Sequence, residues 1–404
     1  MMTFLGIALF VLLLLASVAL HEAGHLITAK RFGMKATEFF VGFGPKVWSF
    51  RRGETEYGLK AIPAGGYVKI VGMTELDEVD PKDAPRAFYR FSAPKKLVVL
   101  AAGSTAHMII GFLLFAFVLG ALGTPKLDAR VGTIADCVPV AADAKCRPTS
   151  DPAPATEAGL RSGDLVVAID GQPVDQWADL SKALRAHGPG EVRLTVRRGT
   201  ETVDLRPTLV EREREVEPGK TARVGVLGVS PDPKITMDRD SPIAALGNSG
   251  ELVGRTVKLT GSILVTVPGK IPDLFHSLLG GERDKEGLVG VVGVARISGE
   301  VLSSDGPAPF SAKLGNILVQ MAALNIFIGL FNILPLLPLD GGHMAVVGFE
   351  AGRRRLYRLF GKADPGRVDM TKLLPATYAF LMVIIGLTVL LLAADLINPV
   401  TLTG

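Results

Sequence analysis

Four apolar stretches run along the chain, separated by segments that are rich in charged residues. Each stretch is close to the about 20 residues that an α-helix needs to cross the hydrocarbon core of a bilayer. The pattern therefore predicts an α-helical polytopic membrane protein with four transmembrane helices. The apolar stretches lie at residues 4–20, 97–122, 314–339 and 373–396, and the helices that contain them are predicted at 1–27, 97–122, 314–350 and 373–398.

The first stretch has the length of a secretory signal peptide, but its flanks differ from those of one. No Lys or Arg precedes it, and no small-x-small cleavage site leads into a hydrophilic segment. Signal peptides carry both features. We therefore expect this stretch to stay in the membrane as the first transmembrane helix.

Lys and Arg are concentrated in two loops, residues 28–96 and 351–372, and the tail before the first helix has neither. Loops with an excess of positive charge remain in the cytoplasm. We therefore predict that both loops are cytoplasmic and that both termini and residues 123–313 lie outside, in a multi-pass protein of the plasma membrane. Weak alternation between 56 and 71 predicts a β-hairpin in the first loop.

The segment 123–313 differs in character from the rest, because short apolar runs alternate with Pro, Asp, Glu and Arg. Ala158–Gly171 reads as a turn, a buried strand and a tight Asp-Gly turn, followed by a short helix and two strands. This series resembles a PDZ domain of the bacterial, circularly permuted kind, which binds chain ends or strands by edge addition. A small β-domain that acts as a spacer or steric filter is the alternative. We expect the extracytoplasmic α+β PDZ domain at 123–232 and a membrane-surface segment at 233–313. Within that segment, residues 242–286 are predicted to form short amphipathic elements on the outer membrane surface.

Cys137 and Cys146 are the two cysteines of the chain, and the predicted topology puts both outside the cytoplasm. That location favours a disulfide between them. A metal-binding pair is the less favoured alternative, since no His lies near them in the sequence.

The composition narrows the classes of function. Hydrophobic residues make up 48% of the chain and the mean hydropathy is +0.35, which is too apolar for an ordinary soluble enzyme. The net charge is only +4 and aromatic residues are 6%, so the sequence has neither the basic face nor the stacking residues of a nucleic-acid binder. We therefore expect the lipid bilayer as a partner and no nucleic acid.

The sequence HEAGH at residues 21–25 ends the first apolar stretch. His21 and His25 share one face of a helix, so their imidazoles can bind one zinc, and Glu22 between them can hold a zinc-bound water and take its proton. At about 1.5 Å per residue, His21 lies roughly 26 Å along the helix, toward its cytoplasmic side. A polar helix end in water is the alternative, but ionisable residues inside membrane helices are costly and usually functional.

A site with two histidines needs a third protein ligand, which leaves a fourth position open. The third apolar stretch supplies Asp340, after two prolines at positions 335 and 338 that interrupt the helix. Irregular backbone at membrane depth is tolerated only where protein or a water cavity covers it. Since the first and third helices both run inward, we expect Asp340 to reach the same side of the membrane as His21.

The motifs H-E-x-x-H in the first helix and N-x-x-P-x-x-x-x-D-G in the third together resemble the site-2 protease family of intramembrane zinc metalloproteases. The single PDZ-like domain resembles the bacterial regulator-of-sigma-E protease branch, and the cysteine pair and the length resemble its actinobacterial members. The resemblance implies one Zn²⁺ per chain held by His21, His25 and Asp340. It also implies Glu22 as the general base and Asn332 as a residue that holds the unwound substrate.

Residues 42–45 and 63–68 also resemble that branch, in its cytoplasmic-side β-loop. An extended substrate can add to the edge of such a strand. The resemblance therefore implies Gly65, Gly66 and Tyr67 as substrate-binding residues.

The second helix departs from the family, which usually has G-P-x-x-N where this chain reads GSTAH at 103–107. His107 can form hydrogen bonds in place of the Asn amide or face a cavity, and a fourth zinc ligand is the least favoured interpretation. Asn325 either bonds freed substrate backbone or packs helices together through its amide. His343 either supports Asp340 or is a simple interfacial residue.

These observations predict an intramembrane zinc protease that cuts the transmembrane segment of single-span proteins. Anti-sigma factors already trimmed outside the cell are the expected substrates, and release of a sigma factor is the expected result. A catalytically inert scaffold that recruits envelope proteins through its PDZ domain is one alternative, but it has no need of Glu22 or Asp340. A zinc transporter is another, but the sequence lacks a relay of further intramembrane acids or histidines.

Overall fold

The computed structural model describes residues 1–73, 78–139, 146, 152–217, 220–278, 283, 287–306 and 308–400. These residues belong to two compact units. The membrane unit comprises the described residues of Met1–Leu122, Asp240–Ser304 and Lys313–Gly404. The β unit comprises those of Gly123–Arg239 and Asp305–Ala312.

The α-helices and the strands are numbered separately in chain order. A π-helical turn at Val118–Leu122 continues the second helix. The helices are α1 (Met2–Arg31), α2 (Ala93–Phe117), α3 (Pro154–Glu157), α4 (Trp177–His187), α5 (Pro242–Leu278), α6 (Val291–Ser303), α7 (Phe310–Asn332), α8 (Asp340–Leu359) and α9 (Leu374–Ile397). The strands are β1 (Ala36–Arg52), β2 (Thr55–Ile70), β3 (Thr124–Leu127), β4 (Val131–Ile134), β5 (Leu165–Ile169), β6 (Gln172–Pro173), β7 (Gly190–Glu191), β8 (Leu194–Arg198), β9 (Glu201–Leu205), β10 (Thr208–Glu217), β11 (Lys220–Val226), β12 (Val229–Pro231) and β13 (Ile235–Asp238).

Four helical segments of the described chain are long and apolar enough to cross a membrane, which confirms the four predicted spans as candidates. They are Met2–Arg31, Ala93–Leu122, Phe310–Asn332 and Met370–Ile397. The third segment differs from the helix predicted at 314–350, because α7 ends at Asn332 and α8 starts separately at Asp340. Prolines at 335 and 338 lack the backbone N–H that a continuous helix requires, so the chain is irregular between the two helices.

Helix α1 packs against α2 and α6, and glycines permit a close approach to α6. A Cβ added at Gly6 would lie 2.7 Å from the carbonyl oxygen of Ser298. A Cβ at Gly299 would lie 2.7 Å from the carbonyl oxygen of Thr3. Small residues of this kind let two helices meet backbone to backbone, so α6 supports the first half of α1.

The prediction of short amphipathic elements within 242–286 is wrong in their length, because Pro242–Leu278 forms one helix of 37 residues. Helix α5 packs against α2 and α9 in the membrane unit. Such packing outweighs the cost of about 1 kcal/mol that each glycine imposes on a helix interior.

Helix α9 is fastened at its end by a buried ion pair. A carboxylate oxygen of Asp395 lies 2.8 Å from Nη2 of Arg283, and the two side chains are 1% and 5% exposed. The other oxygen of Asp395 accepts a hydrogen bond of 2.8 Å from the backbone N–H of Gly293 in the first turn of α6. Because a buried charge is tolerated only when it is paired, this arrangement holds α9 against α6.

Strands β1 and β2 form the predicted hairpin, but each bends so that four segments lie side by side. Residues 36–41 of β1 pair with residues 56–59 of β2 on one side and with residues 66–70 on the other. Residues 46–52 of β1 pair with residues 55–60 of β2. Residues 66–70 therefore form an edge of this sheet, and they face α1.

The β unit has a four-stranded sheet in the order β6-β5-β8-β9, with α4 packed against it. Its core includes Val166, Leu180, Leu194 and Val196, each 0% exposed. Arg198 donates hydrogen bonds to the carboxylate of Asp164, and this lowers the pKa of Asp164 below its ordinary value. Cys137 and Cys146 of this unit are joined by a disulfide.

Candidate metal and catalytic centre

His21 and His25 lie one turn apart on α1 and are 8% and 6% exposed. Glycines on both helices bring the backbone of α2 against this face of α1. A Cβ at Gly24 would lie 2.7 Å from the carbonyl oxygen of Ala102. A Cβ at Gly103 would lie 2.4 Å from atoms of both imidazole rings. Helix α2 thus encloses the two rings on one side. A larger residue at Gly24 would push α2 away, and a larger residue at Gly103 would push the rings away.

Asp340 is the first residue of α8, where the irregular segment after α7 ends. The next two residues are glycines that pack against this segment, since a Cβ at Gly341 would lie 2.1 Å from the carbonyl oxygen of Ile333. The tight turn brings the Asp340 carboxylate to the histidine pair. Its Oδ2 lies 3.4 Å from Nε2 of His21 and 3.3 Å from Nε2 of His25.

The spacing of the three ligand atoms can be compared with the geometry that zinc requires. The third distance, between Nε2 of His25 and Nε2 of His21, is 3.2 Å. Zinc binds nitrogen and oxygen at about 2.0–2.1 Å in a tetrahedron, whose edges are then about 3.3–3.4 Å. The three distances therefore match three edges of one tetrahedron, and its fourth corner is left for water or substrate.

The hydrogen bonds of the two histidines also agree with a metal-binding role. Nδ1 of His25 lies 2.8 Å from the carbonyl oxygen of Val99. Because a carbonyl only accepts, Nδ1 carries the proton and Nε2 presents a lone pair, which is the usual arrangement of a metal-binding His. Within the described part of the chain, Oδ2 of Asp340 and Nδ1 of His21 are buried without a hydrogen-bond partner. A buried carboxylate oxygen without a hydrogen-bond partner, close to two imidazole nitrogens, is suited to bind a cation.

Glu22 lies next to this cluster and beside the edge of the β1–β2 sheet. A Cβ at Gly66 would lie 2.9 Å from Cγ of Glu22, so only glycine lets the strand pass here. The backbone of Val68 is near enough to interact with the Glu22 carboxylate. The edge strand thus packs against Glu22 next to the histidine pair.

The residues predicted to bind substrate lie in two places, at the edge of the β1–β2 sheet and at the end of α7. Gly66 is the first residue of the edge segment 66–70 and Gly65 directly precedes it, with φ +145° and Phe43 packed against it. Tyr67 donates a hydrogen bond of 2.6 Å to Glu38 of β1. Asn332 is the half-buried last residue of α7, directly before the irregular segment that leads to Asp340.

Asn325 is not available to a substrate, so of the two interpretations the structure favours helix packing. It is 0% exposed, and its amide is bonded to His107, Ser17 and the backbone of Met321. His343 lines a small cavity of about 50 Å³ together with Lys96 and Glu350. The sequence did not indicate Val99 as part of the site. Val68 and Gly103 lie in segments that were compared with the family, but their contacts with the cluster could not be predicted from the sequence.

Comparison with known proteins identifies the family. The family model described as peptidase family M50 matches residues 9–363. The chain belongs to peptidase family M50. It is 37% identical to the zinc metalloprotease Rip1 of Mycolicibacterium smegmatis over 417 aligned positions, and 36% identical to the zinc metalloprotease Rip1 of Mycobacterium tuberculosis over 411, with 100% of both chains covered in each case. It is also 30% identical to a putative zinc metalloprotease of Brucella suis, over 85% of each chain.

Membership of family M50 confirms the resemblance to the site-2 proteases that the two motifs indicated. The mycobacterial relatives match over their full length, which also confirms the actinobacterial type and the class of enzyme, a metalloprotease. The match to residues 9–363 includes α1 from residue 9 onward and the whole of α2, α7 and α8, and therefore every residue of the cluster described above.

Proposed function

We propose that this chain is an intramembrane zinc metalloprotease that hydrolyses a peptide bond within the transmembrane segment of single-span membrane proteins. The observation that carries the proposal is the meeting of His21, His25 and Asp340 at tetrahedral spacing. Both histidines lie on a helix that is apolar enough to cross a bilayer, and Asp340 follows the end of another such helix by eight residues. Membership of family M50 and the printed names of the relatives support zinc as its cofactor.

In this proposal each residue of the cluster has a distinct role. His21, His25 and Asp340 hold the metal, and a bound zinc would supply a Lewis acid that polarises the peptide carbonyl and activates water. Glu22 accepts the proton of the attacking water and then donates it to the leaving amine. The close packing of Gly66 on Glu22 supports the position of Glu22 beside the cluster.

A helical substrate must unwind before it can be cut, because its carbonyls are engaged in hydrogen bonds within the helix. We infer that Gly65, Gly66 and Tyr67 offer a strand edge to the extended segment, by β-strand addition. The proximity of Gly66 to Glu22 supports this role, since a strand added there lies beside the general base. Asn332 is inferred to bond backbone groups that the unwound segment frees.

Replacement of Asn332 by alanine should lower cleavage mainly for substrates with stable helices. Substrates with Gly or Pro near the cut should lose less, because they need less help to expose a carbonyl. The measurement is a cleavage assay in detergent with two substrates that differ only in these residues. Asn316→Ala removes an exposed amide from the same helix and is the matched control. Equal losses on both substrates would leave Asn332 without a role in unwinding.

For the substrate we propose anti-sigma factors, after a first cut outside the cytoplasm has shortened them, so that a sigma factor is released. The expected finding in cells is that trimmed single-span proteins accumulate as stubs when Glu22→Gln replaces the native chain. If the native chain and this variant leave the same pattern of membrane proteins, the proposed activity is wrong.

The β unit supports the proposal of a PDZ domain. The order β6-β5-β8-β9, with α4 against the sheet, agrees with the elements expected from the A-G-L-x-x-G-D and I-D-G series. A cavity of about 370 Å³ lies between α4 and residues 224–231, and Trp177 and Leu184 line it. Such a cavity suits an extended chain, and a steric filter remains the alternative role.

The proposed topology puts both termini and the β unit outside the cytoplasm. A reporter that is active only outside should be active when fused at Gly199, between β8 and β9, and inactive at Gly361, after α8. A second reporter that is active only in the cytoplasm should give the opposite pattern at the same two positions. The same side for both fusions would overturn the topology.

A further inference from the structure

His107 of α2 is fully enclosed beside the metal-binding cluster, although the proposed mechanism gives it no role. It is 1% exposed, and its Nδ1 lies 2.8 Å from Oδ1 of Asn325 on α7. Asn325 is 0% exposed and also bonds Ser17 of α1, which is 3% exposed. A buried polar network therefore connects α1, α2 and α7 next to the cluster.

The orientation of every group in this network follows from one fixed acceptor. The amide nitrogen of Asn325 lies 2.8 Å from the carbonyl oxygen of Met321, which can only accept. The amide is therefore oriented with its NH₂ toward Met321 and Ser17 and its oxygen toward His107. Nδ1 of His107 must then carry the proton, and the rotation of the His107 ring is fixed by that hydrogen bond.

The His107 ring packs directly on the ring of His21. The two centroids are 4.8 Å apart with 40° between the ring planes. Helix α7 closes on the other side, because a Cβ at Gly329 would lie 3.1 Å from Cβ of His107. His107 is thus held between α7 and the His21 imidazole.

The two metal-binding histidines differ in what fixes their rings. His25 is oriented by its hydrogen bond to Val99. Among the described residues, Nδ1 of His21 has no hydrogen bond of acceptable geometry, although the backbone of Gly103 is near enough to interact with the ring. The hydrogen bond that normally orients a metal-binding His is therefore weak or missing at His21, and ring packing is what remains.

We propose that His107 is a positioning residue, which packs against His21 and holds its Nε2 toward the metal, and that Asn325 and Ser17 hold His107 in place. The role rests on the proposed ligand set. It accounts for the departure from the family pattern at position 107, because an imidazole packs an aromatic ring on His21 and an Asn amide has none.

The experiment measures zinc affinity of the purified full-length protein by competition with a chelator. His107→Phe keeps an aromatic ring but removes the hydrogen bond that anchors it, and Asn325→Leu removes the anchor and leaves His107 intact. Each variant should raise the zinc dissociation constant roughly 10–100-fold, the usual effect of removing a group that orients a metal ligand. The double variant should be no worse than the weaker-binding single variant, because both changes break one interaction.

Cobalt in place of zinc gives a second readout that does not depend on activity. The visible absorption of bound Co²⁺ responds to ligand geometry and should change in both variants. Gln320→Leu is the matched control, because it removes a half-buried amide from the same helix, one that bonds Asn316 and Ser298. It should keep native zinc affinity and the native spectrum.

The outcomes separate this role from the proposed function. His21→Ala is the reference, and native zinc affinity in that variant would overturn the ligand set and with it this role. Loss of zinc in His21→Ala together with native affinity in His107→Phe and Asn325→Leu would overturn the positioning role alone. Equal weakening in Gln320→Leu would also overturn it, since general loosening of the helices would then be the cause. Variants are compared only if they elute as monodisperse protein. If only one of His107→Phe and Asn325→Leu does so, that variant alone tests the positioning role.

Discussion

Glu22→Gln should reduce the rate of cleavage by about 10²–10⁴-fold while the protein keeps its zinc and still binds substrate, as expected when a general base is removed. The amide has the size of the carboxylate, and the change removes none of the proposed zinc ligands, so the local structure should be retained. It cannot accept the proton of water. The measurement is single-turnover cleavage of a trimmed single-span substrate, together with metal content and substrate binding.

Glu251→Gln is the control for this change. Glu251 lies on α5 in an exposed pair with Arg255, and such pairs contribute little to stability. Its cleavage rate should stay near that of the native protein. Full activity of Glu22→Gln would exclude Glu22 as the base, whereas loss of zinc in that variant would indicate a structural defect in place of a chemical one.

His21→Ala and Asp340→Ala should each reduce the zinc content from close to one ion per chain to a small fraction of that value, and abolish cleavage with it. Each change removes one of only three protein ligands, and zinc in catalytic sites is held by three. The two residues come from α1 and α8, so the result also tests whether the helices meet at one ion. The measurement is metal analysis of the purified variants at a defined free zinc concentration.

His276→Ala is the matched control for the histidine, because His276 is an exposed residue of α5. It should retain both zinc and activity. Stoichiometric zinc in both His21→Ala and Asp340→Ala would overturn the ligand assignment. Loss of zinc in His21→Ala alone would leave His25 and a different third ligand to be found.

The sequence by itself determined the features that depend on local pattern. Apolar runs of membrane-spanning length predicted the four helices, and the spacing of His21, Glu22 and His25 followed from the helical period alone. The prolines at 335 and 338 predicted the break before Asp340, because proline cannot supply a helix N–H at any depth. The resemblance to the site-2 proteases likewise depends on these local motifs alone.

The tertiary structure decided what depends on residues far apart in the chain. Val99 and His25 are separated by 74 positions, His107 and Asn325 by 218, and Asn325 and Ser17 by 308. Hydrogen bonds between such residues leave no periodic signal, since they require α1, α2 and α7 to be packed first. The same holds for α5, where contacts with α2 and α9 kept one long helix through several glycines. Local pattern therefore placed the metal ligands, while helix packing decided what orients them.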